Sequence, residues 1–285
     1  MTVARQKSSK FIPDRSVIEK EEKLRALMRG PGRVLVAYSG GVDSAYLAFV
    51  AAGELDSGAT CVLGVSPSVS AAQIAAAEAF AQRHSLTLRK VDTNELDDPS
   101  YAANPSNRCY YCKTELYGKL AALAEAEGFD AIFDGANVDD LGDHRPGRKA
   151  AGEKGVRSPL IEAGMTKQDI RDMSRFHGLE TWDRPASPCL SSRVAYGVHV
   201  TIERLSKIER AEAVLRDMGF REFRVRVHDD LARIEIARDE MARALTSEFV
   251  DDVNRSLTAI GFRYITLDLR GFRSGALNET INSNL

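Results

Sequence analysis

The stretch VLVAYSGGVDSAYLAFV, residues 34–50, decides the fold. An apolar run stops at Ser-Gly-Gly-Val-Asp-Ser, and an Ala-rich segment with helical spacing resumes at once. Glycines at a strand-to-helix turn let the backbone approach a ligand closely, and the free N–H groups of a helix start favour an anion. Ser39 and Ser44 add hydroxyl donors, and Asp43 is suited to orient the loop or to hold a magnesium ion. Such a set suits a phosphate or pyrophosphate group. The spacing has no Gly-Lys-Ser/Thr and no G-x-G-x-x-G, so it is neither a Walker loop nor a dinucleotide fingerprint. The plain alternative is a Gly-Gly turn with Asp43 and Ser44 capping the helix.

Working outward, further strand patterns fall at residues 60–66, 87–93 and 131–135, separated by helical patterns over 70–85 and 112–129. This alternation predicts an α/β fold, a parallel sheet with helices on both faces. Ligands of such sheets sit outside the carboxyl ends of the strands. Residues 135–159 are polar and Gly-rich and are expected to form a functional or mobile loop. After a helix at 166–177 and the irregular stretch DRPASPCLSSRVAYG, a helix (202–218), two strands (222–228, 231–237), one or two helices (239–260) and a strand (263–268) predict a smaller α+β unit. The expected division is residues 1–190 and 191–285.

The chain has 285 residues, 44% of them hydrophobic, and a net charge of −2, which lacks the basic excess of a protein built for a nucleic-acid backbone. No segment approaches the ~20 apolar residues that span a bilayer. The first sixteen residues carry basic side chains without an apolar signal core, so a cytoplasmic protein with a frayed start is expected.

Four cysteines in such a chain read as thiols, metal ligands or reactive groups rather than a disulfide framework. Cys109 and Cys112 form C-x-x-C at a helix start, on one side of the helix, where the N–H groups and nearby Arg108 and Lys113 favour thiolate. Cys189 stands in a loop with Arg193 four residues on, a flexible setting for a reactive sulfur. Three cysteines suit a [4Fe–4S] cluster with one open iron, whereas structural zinc usually wants four ligands. Redox exchange between Cys109 and Cys112, or three unrelated buried thiols, are the other readings. Cys61, inside a strand, reads as core.

In FRVRVH, Arg224, Arg226 and His228 share one strand face while Phe223, Val225 and Val227 share the other, the core face. Paired guanidiniums bind carboxylate or phosphate in a forked geometry, although Glu235 and Arg233 on the next strand offer a cross-strand pairing instead.

The hexapeptide at 39–44 resembles the pyrophosphate loop of the ATP pyrophosphatases, which split ATP to adenylate a substrate. The blocks YSGGVDSAYLA, NRCYYCKTELY, GANVDDLGDHRPG, RSPLIEAGMTKQDIR, PCLSSRVAYG, RVRVHDDLARIEI and LDLRGFRSGALNE follow in order. Together they resemble the LarE family of ATP-dependent sulfurtransferases over nearly the whole chain. The resemblance implies a PP-loop ATP pyrophosphatase domain, with ATP and Mg2+ at Ser39, Gly40, Gly41, Asp43 and Ser44. It implies thiolation of pyridinium-3,5-biscarboxylic acid mononucleotide for the nickel-pincer cofactor of lactate racemase. Cys189 matches the family's sulfur-bearing cysteine, which in some members gives up its own sulfur and ends as dehydroalanine. With Cys109 and Cys112 present, the resemblance favours the members that carry a [4Fe–4S] cluster on three cysteines and pass on a cluster-bound sulfide, with sacrifice of Cys189 left open. Arg193, Glu212, Arg224, Arg226, Arg270 and Arg273 are candidate substrate-binding positions, with Glu212 alternatively a solvated helix residue. A homo-oligomer, and a nickel-insertion protein or lactate racemase downstream, are the implied partners. A tRNA thiolase with a similar loop and cluster, and a nucleotide-binding regulator without turnover, are the competing readings; the charge balance disfavours the first.

Overall fold

The computed structural model describes residues 11–142 and 146–273. The first ten residues, part of the GDHRPG block and the last six residues of the final family-like block lie outside them. Four strands, β1 (Val34–Ala37), β2 (Ala59–Val65), β3 (Leu88–Asp92) and β4 (Ala131–Phe133), form a parallel sheet in the order β3-β2-β1-β4. Their connections include α2 (Val42–Leu55), α3 (Ala71–Arg83), the short α4 (Pro99–Ala102) and α5 (Arg108–Glu127).

All four residues of β1 are buried, because the two sides of the strand meet different helices. Val34 and Val36 enter the cluster built with α2, α3 and α1 (Arg15–Met28), while Leu35 and Ala37 join Tyr117, Leu120 and Ala124 of α5. A strand covered on both faces must be apolar throughout, which is why residues 34–37 do not alternate. The chain runs outward from β1 through β2 to β3, then returns to place β4 on the other side of β1. The strand order therefore reverses between β1 and β4, and the crevice at their carboxyl ends is where such sheets bind ligands.

Beyond β4 come α6 (Pro146–Glu153), α7 (Pro159–Glu162) and α8 (Lys167–Phe176). The second sheet contains β5 (Phe223–His228), β6 (Leu231–Ile236) and β7 (Tyr264–Leu267), with β5 antiparallel and β7 parallel to β6. Val225, Val227, Ala232, Ile234 and Ile236 pack on α9 (Ile202–Asp217) and α11 (Ser247–Ile260), which follows the short α10 (Met241–Ala244). This core also takes in Leu190, Val194 and Tyr101, and Val194 bridges to Val227. The segment carrying Cys189 thus runs between the two sheets.

Three expectations need correction. Helix α1 was not anticipated; its charged sequence hides Val17, Glu21, Leu24 and Met28, one helical stripe, against the sheet's helical cover. Residues 135–159 are not one loop, since α6 buries Ala150 and Ala151 against α5. Two alanines among glycines and cations give no readable periodicity, and packing rather than propensity makes that helix. Finally, Gly41 rather than Asp43 or Ser44 occupies the N-cap of α2. Among the described residues no helix is long and apolar enough to cross a membrane.

Leu35 is fully buried in the core between β1 and α5. Leu35→Ala is expected to cost about 2–5 kcal/mol, read as a lower urea midpoint with an unchanged slope.

Candidate active site

The hexapeptide wraps the carboxyl end of β1. Gly40 has φ +73°, and a Cβ there would lie 2.7 Å from Ala77 Cβ of α3, so only glycine fits. The Ser44 hydroxyl reaches back 3.2 Å to the Gly41 carbonyl, lies 3.0 Å from Ser39 Oγ and accepts from the Ser39 amide at 3.1 Å. Both hydroxyls are therefore held at the mouth of the turn beside the first amides of α2, which have no partners within the helix. Across the crevice, a Cβ on Gly135 would come 2.9 Å from the Ser44 amide, so β4's continuation lies directly against the loop.

Asp43 pairs through Oδ2 with the Lys167 ammonium, while its Oδ1 is buried without a partner. Burial raises the Asp43 carboxyl above its ordinary range, opposed by Lys167. A buried carboxylate oxygen with nothing to accept from is suited to a cation, and this donor fits Mg2+. Arg184 donates 3.1 Å to the Gly40 carbonyl, and the Lys167 amide donates 2.7 Å to Asp139. Neither Lys167 nor Arg184 was singled out from sequence. The Thr166 capping box marks where α8 starts, but only the fold shows that Lys167 faces a loop 124 residues earlier.

Cys109 and Cys112 open α5, as expected; Cys109 is exposed and Cys112 half-buried. The expectation of a favoured thiolate fails for Cys112. Burial pushes that thiol up to about 12, Glu95, Cys189 and Cys109 push the same way, and Lys113 offsets little. Cys112 thus lies within electrostatic reach of both Cys109 and Cys189.

Cys189 is also not in a loose loop. Leu190 N donates 2.8 Å to the Ser68 carbonyl beyond β2, and residues Leu190–Arg193 form a single 3-10 turn. Tyr101, fully buried, joins Ser68 Oγ (2.8 Å) to Ser191 Oγ (2.7 Å). Arg108, also buried, donates to the Ser191 carbonyl at 3.0 Å and to Asn104 Oδ1. Asn104 in turn donates to the Ala195 and Val198 carbonyls at 2.7 and 3.1 Å. These bonds fasten the start of α5 to the Cys189 segment.

Among the described residues no three His, Cys, Asp or Glu side chains are grouped to hold a metal ion. A cubane is itself several ångströms across, so its thiolates need not converge on one point, and an all-cysteine donor set suits iron–sulfur chemistry.

Arg193 and Glu212 meet in a buried fork at 2.8 and 3.1 Å, which removes the reading of Glu212 as a solvated helix residue. Arg193 also donates to the Pro188 and Cys189 carbonyls at 2.6 and 3.1 Å. Arg226 donates 2.5 Å to Glu235 across the strands and 3.1 Å to the Ser192 carbonyl, as the cross-strand alternative had it. Its Nη2 and Glu235 Oε2 are buried without partners. Arg224 stacks 4.8 Å from the Phe272 ring centre, and burial followed by Arg193 and Arg226 lowers it to about 10. His228 stands exposed at the end of β5. Arg270 is exposed and Arg273 half-buried, both just past β7. The structure therefore brings Cys189, Arg193, Glu212, Arg224 and Arg226 into one cluster.

No protein-family model matches the chain. It is 44% identical over 262 residues to an uncharacterized protein of Synechocystis sp., covering 92% of this chain and 98% of that protein. It is 37% identical over 263 residues to the pyridinium-3,5-bisthiocarboxylic acid mononucleotide synthase of Lactiplantibacillus plantarum, covering 92% and 95%. An uncharacterized protein of Methanocaldococcus jannaschii is 28% identical over 242 residues, 85% and 91% of the two chains. The chain belongs to the LarE family, that of the mononucleotide synthase.

Two outcomes follow from this geometry. At pH 7, site-resolved alkylation of the metal-free protein should label Cys109 first and leave Cys61 and Cys112, both raised to about 12 chiefly by burial, at least about a hundredfold slower. Glu212→Ala strands the Arg193 charge and should cost about 3–5 kcal/mol, read from chemical denaturation.

Proposed function

We propose that the chain is an ATP-dependent sulfurtransferase that adenylates a carboxylate of pyridinium-3,5-biscarboxylic acid mononucleotide and converts it to a thiocarboxylate. The observation that carries this reading is the Leu190–Ser68 bond, which holds the Cys189 turn over the same sheet edge that presents the Ser39–Ser44 loop. The bisthiocarboxylic product named for the Lactiplantibacillus relative supports the choice of acceptor.

In this reading the loop amides and the Ser39 and Ser44 hydroxyls bind the pyrophosphate end of ATP. Asp43 Oδ1 would hold Mg2+, which supplies charge neutralisation for the phosphates, and Lys167 exchanges its Asp43 partner for a phosphate oxygen. A substrate carboxylate oxygen attacks the α-phosphorus, and the bond to pyrophosphate breaks. Cys189 sulfur then forms a bond to the acyl carbon, expelling AMP. Cleavage of the Cys189 Cβ–Sγ bond, with loss of the Cα proton, leaves the thiocarboxylate on the substrate and dehydroalanine in the chain. Thiolate is the nucleophile this step needs near neutral pH.

Cys109, Cys112 and Cys189 would alternatively hold a [4Fe–4S] cluster, which when bound supplies a sulfide for transfer and spares the protein's own sulfur. Arg193 and Glu212 set the Cys189 turn, while Arg224 and Arg226, with Arg270 and Arg273, are assigned to the carboxylates and phosphate of the mononucleotide. Division at 190/191 into a PP-loop domain and a substrate domain, and assembly into a homo-oligomer, belong to the same reading.

The test is anaerobic incubation with ATP, Mg2+ and the dicarboxylated pyridinium mononucleotide, followed by masses of nucleotide and intact protein. A thiolated nucleotide is expected, with the chain mass distinguishing sulfur loss at Cys189 from cluster delivery. Cys189→Ala should still bind ATP and yield no thiolated product; a normal yield from that variant overturns the role of Cys189.

A further inference from the structure

Residues 182–188, WDRPASP, lead into the Cys189 turn without a helix or strand of their own. Two neighbours tie this segment down. From α8, Arg171 donates 2.6 Å to the Trp182 carbonyl and 3.0 Å to the Arg184 carbonyl. From the start of α3, Gln73 donates to the Ser187 carbonyl at 2.5 Å and to the Ser187 hydroxyl at 2.8 Å. Between these ties Arg184 turns its half-buried side chain to the 39–44 loop, where Nη1 donates 3.1 Å to the Gly40 carbonyl. Among the described residues that is the guanidinium's one hydrogen bond, and no carboxylate pairs with it.

The acceptor is what gives this bond a consequence. In a trans peptide the carbonyl and the following N–H point to opposite sides of one plane. Holding the Gly40 carbonyl on Arg184 therefore turns the Gly41 N–H the other way. Gly40 is buried and Gly41 exposed, so the carbonyl is spent within the protein while the amide opens outward at the N-cap of α2. That amide lies 3.5 Å from Ser39 Oγ, at the outer limit of a hydrogen bond, and is left with capacity for an anion.

Local chemistry alone does not hold the plane in this orientation. Glycines stand on both sides of it, Gly40 at φ +73°, and a glycine pair rotates with little steric resistance. The rotated peptide would present a carbonyl oxygen, which repels an anion. Arg184 removes that alternative. A charged donor on the carbonyl also polarises the peptide and strengthens its N–H as a donor.

We infer that Arg184 is a positioning residue for the phosphate loop, acting through the Gly40–Gly41 peptide to aim the Gly41 N–H at the pyrophosphate end of ATP. This rests on the reading proposed above.

The test is calorimetric titration of the parent, Arg184→Met and Arg184→Lys with magnesium pyrophosphate, ATP and adenosine. Arg184→Met should bind pyrophosphate and ATP about 10- to 30-fold more weakly, with adenosine within about twofold; Arg184→Lys, which keeps a charged donor, should recover most of the loss. In protein labelled with 15N-glycine, the Gly41 amide proton should move downfield at saturating pyrophosphate in the parent and stay in place in Arg184→Met. Equal losses for pyrophosphate and adenosine, or a Gly41 signal that responds alike in both proteins, overturn the inference. A parent that binds no pyrophosphate sinks the loop reading and the inference with it. A parent that binds it no better than Arg184→Met sinks the role of Arg184 alone.

Discussion

A guanidinium and a carboxylate taken out of water together fix the geometry of the whole site. Arg193 and Glu212 each cost several kcal/mol to bury alone, and their forked pairing offsets this only because every remaining donor also has work. Arg193 spends those donors on the Pro188 and Cys189 carbonyls, while Glu212 accepts from the Val225 amide at 3.2 Å. One ion pair thereby sets the height of the sulfur-bearing turn above the second sheet. The same turn is held to the first sheet by Ser68, Tyr101 and Arg108.

Charge around that turn is deliberately unbalanced. Arg193, Arg224, Arg226 and Arg233 surround two buried carboxylates, Glu212 and Glu235. Arg226 Nη2 and Glu235 Oε2 remain buried without partners, and Arg224 has an aromatic ring in place of an anion. Guanidiniums that repel one another in a dry setting are stabilised by a polyanion, which is what a carboxylated nucleotide presents. On the other sheet the sign is reversed at one atom, Asp43 Oδ1, where a cation fits. In the reading proposed above, opposite deficits on either side of one cysteine turn draw a polyanion to one sheet and a cation to the other.

How much of this was readable depends on the range of the interactions. The loop at 39–44, the parallel sheet and the shared face of Arg224 and Arg226 were legible, because a glycine turn and a period of two are local signals. Glu212 was left open between a site residue and a solvated one, because one acid in an amphipathic helix looks the same whether it faces water or a guanidinium. Lys167 and Arg184 were missed for a related reason: their partners in the loop are 124 and 144 residues away. The Cys112 expectation failed on solvation. Neighbouring cations were visible in the sequence, whereas the burial that outweighs them was not.

The reversal of strand order also dictates when the molecule can become competent during synthesis. β4 joins β1 across a separation of 97 residues, as the Arg33–Asp130 contact at its edge records. Closing so long a loop is slow compared with forming a helix. A nascent chain can therefore pair β1 with β2 early, yet it lacks one wall of the crevice beside the Ser39–Ser44 loop until β4 has left the ribosome. The Cys189 turn emerges later still, so the Ser39–Ser44 loop is walled in before Cys189 can reach it.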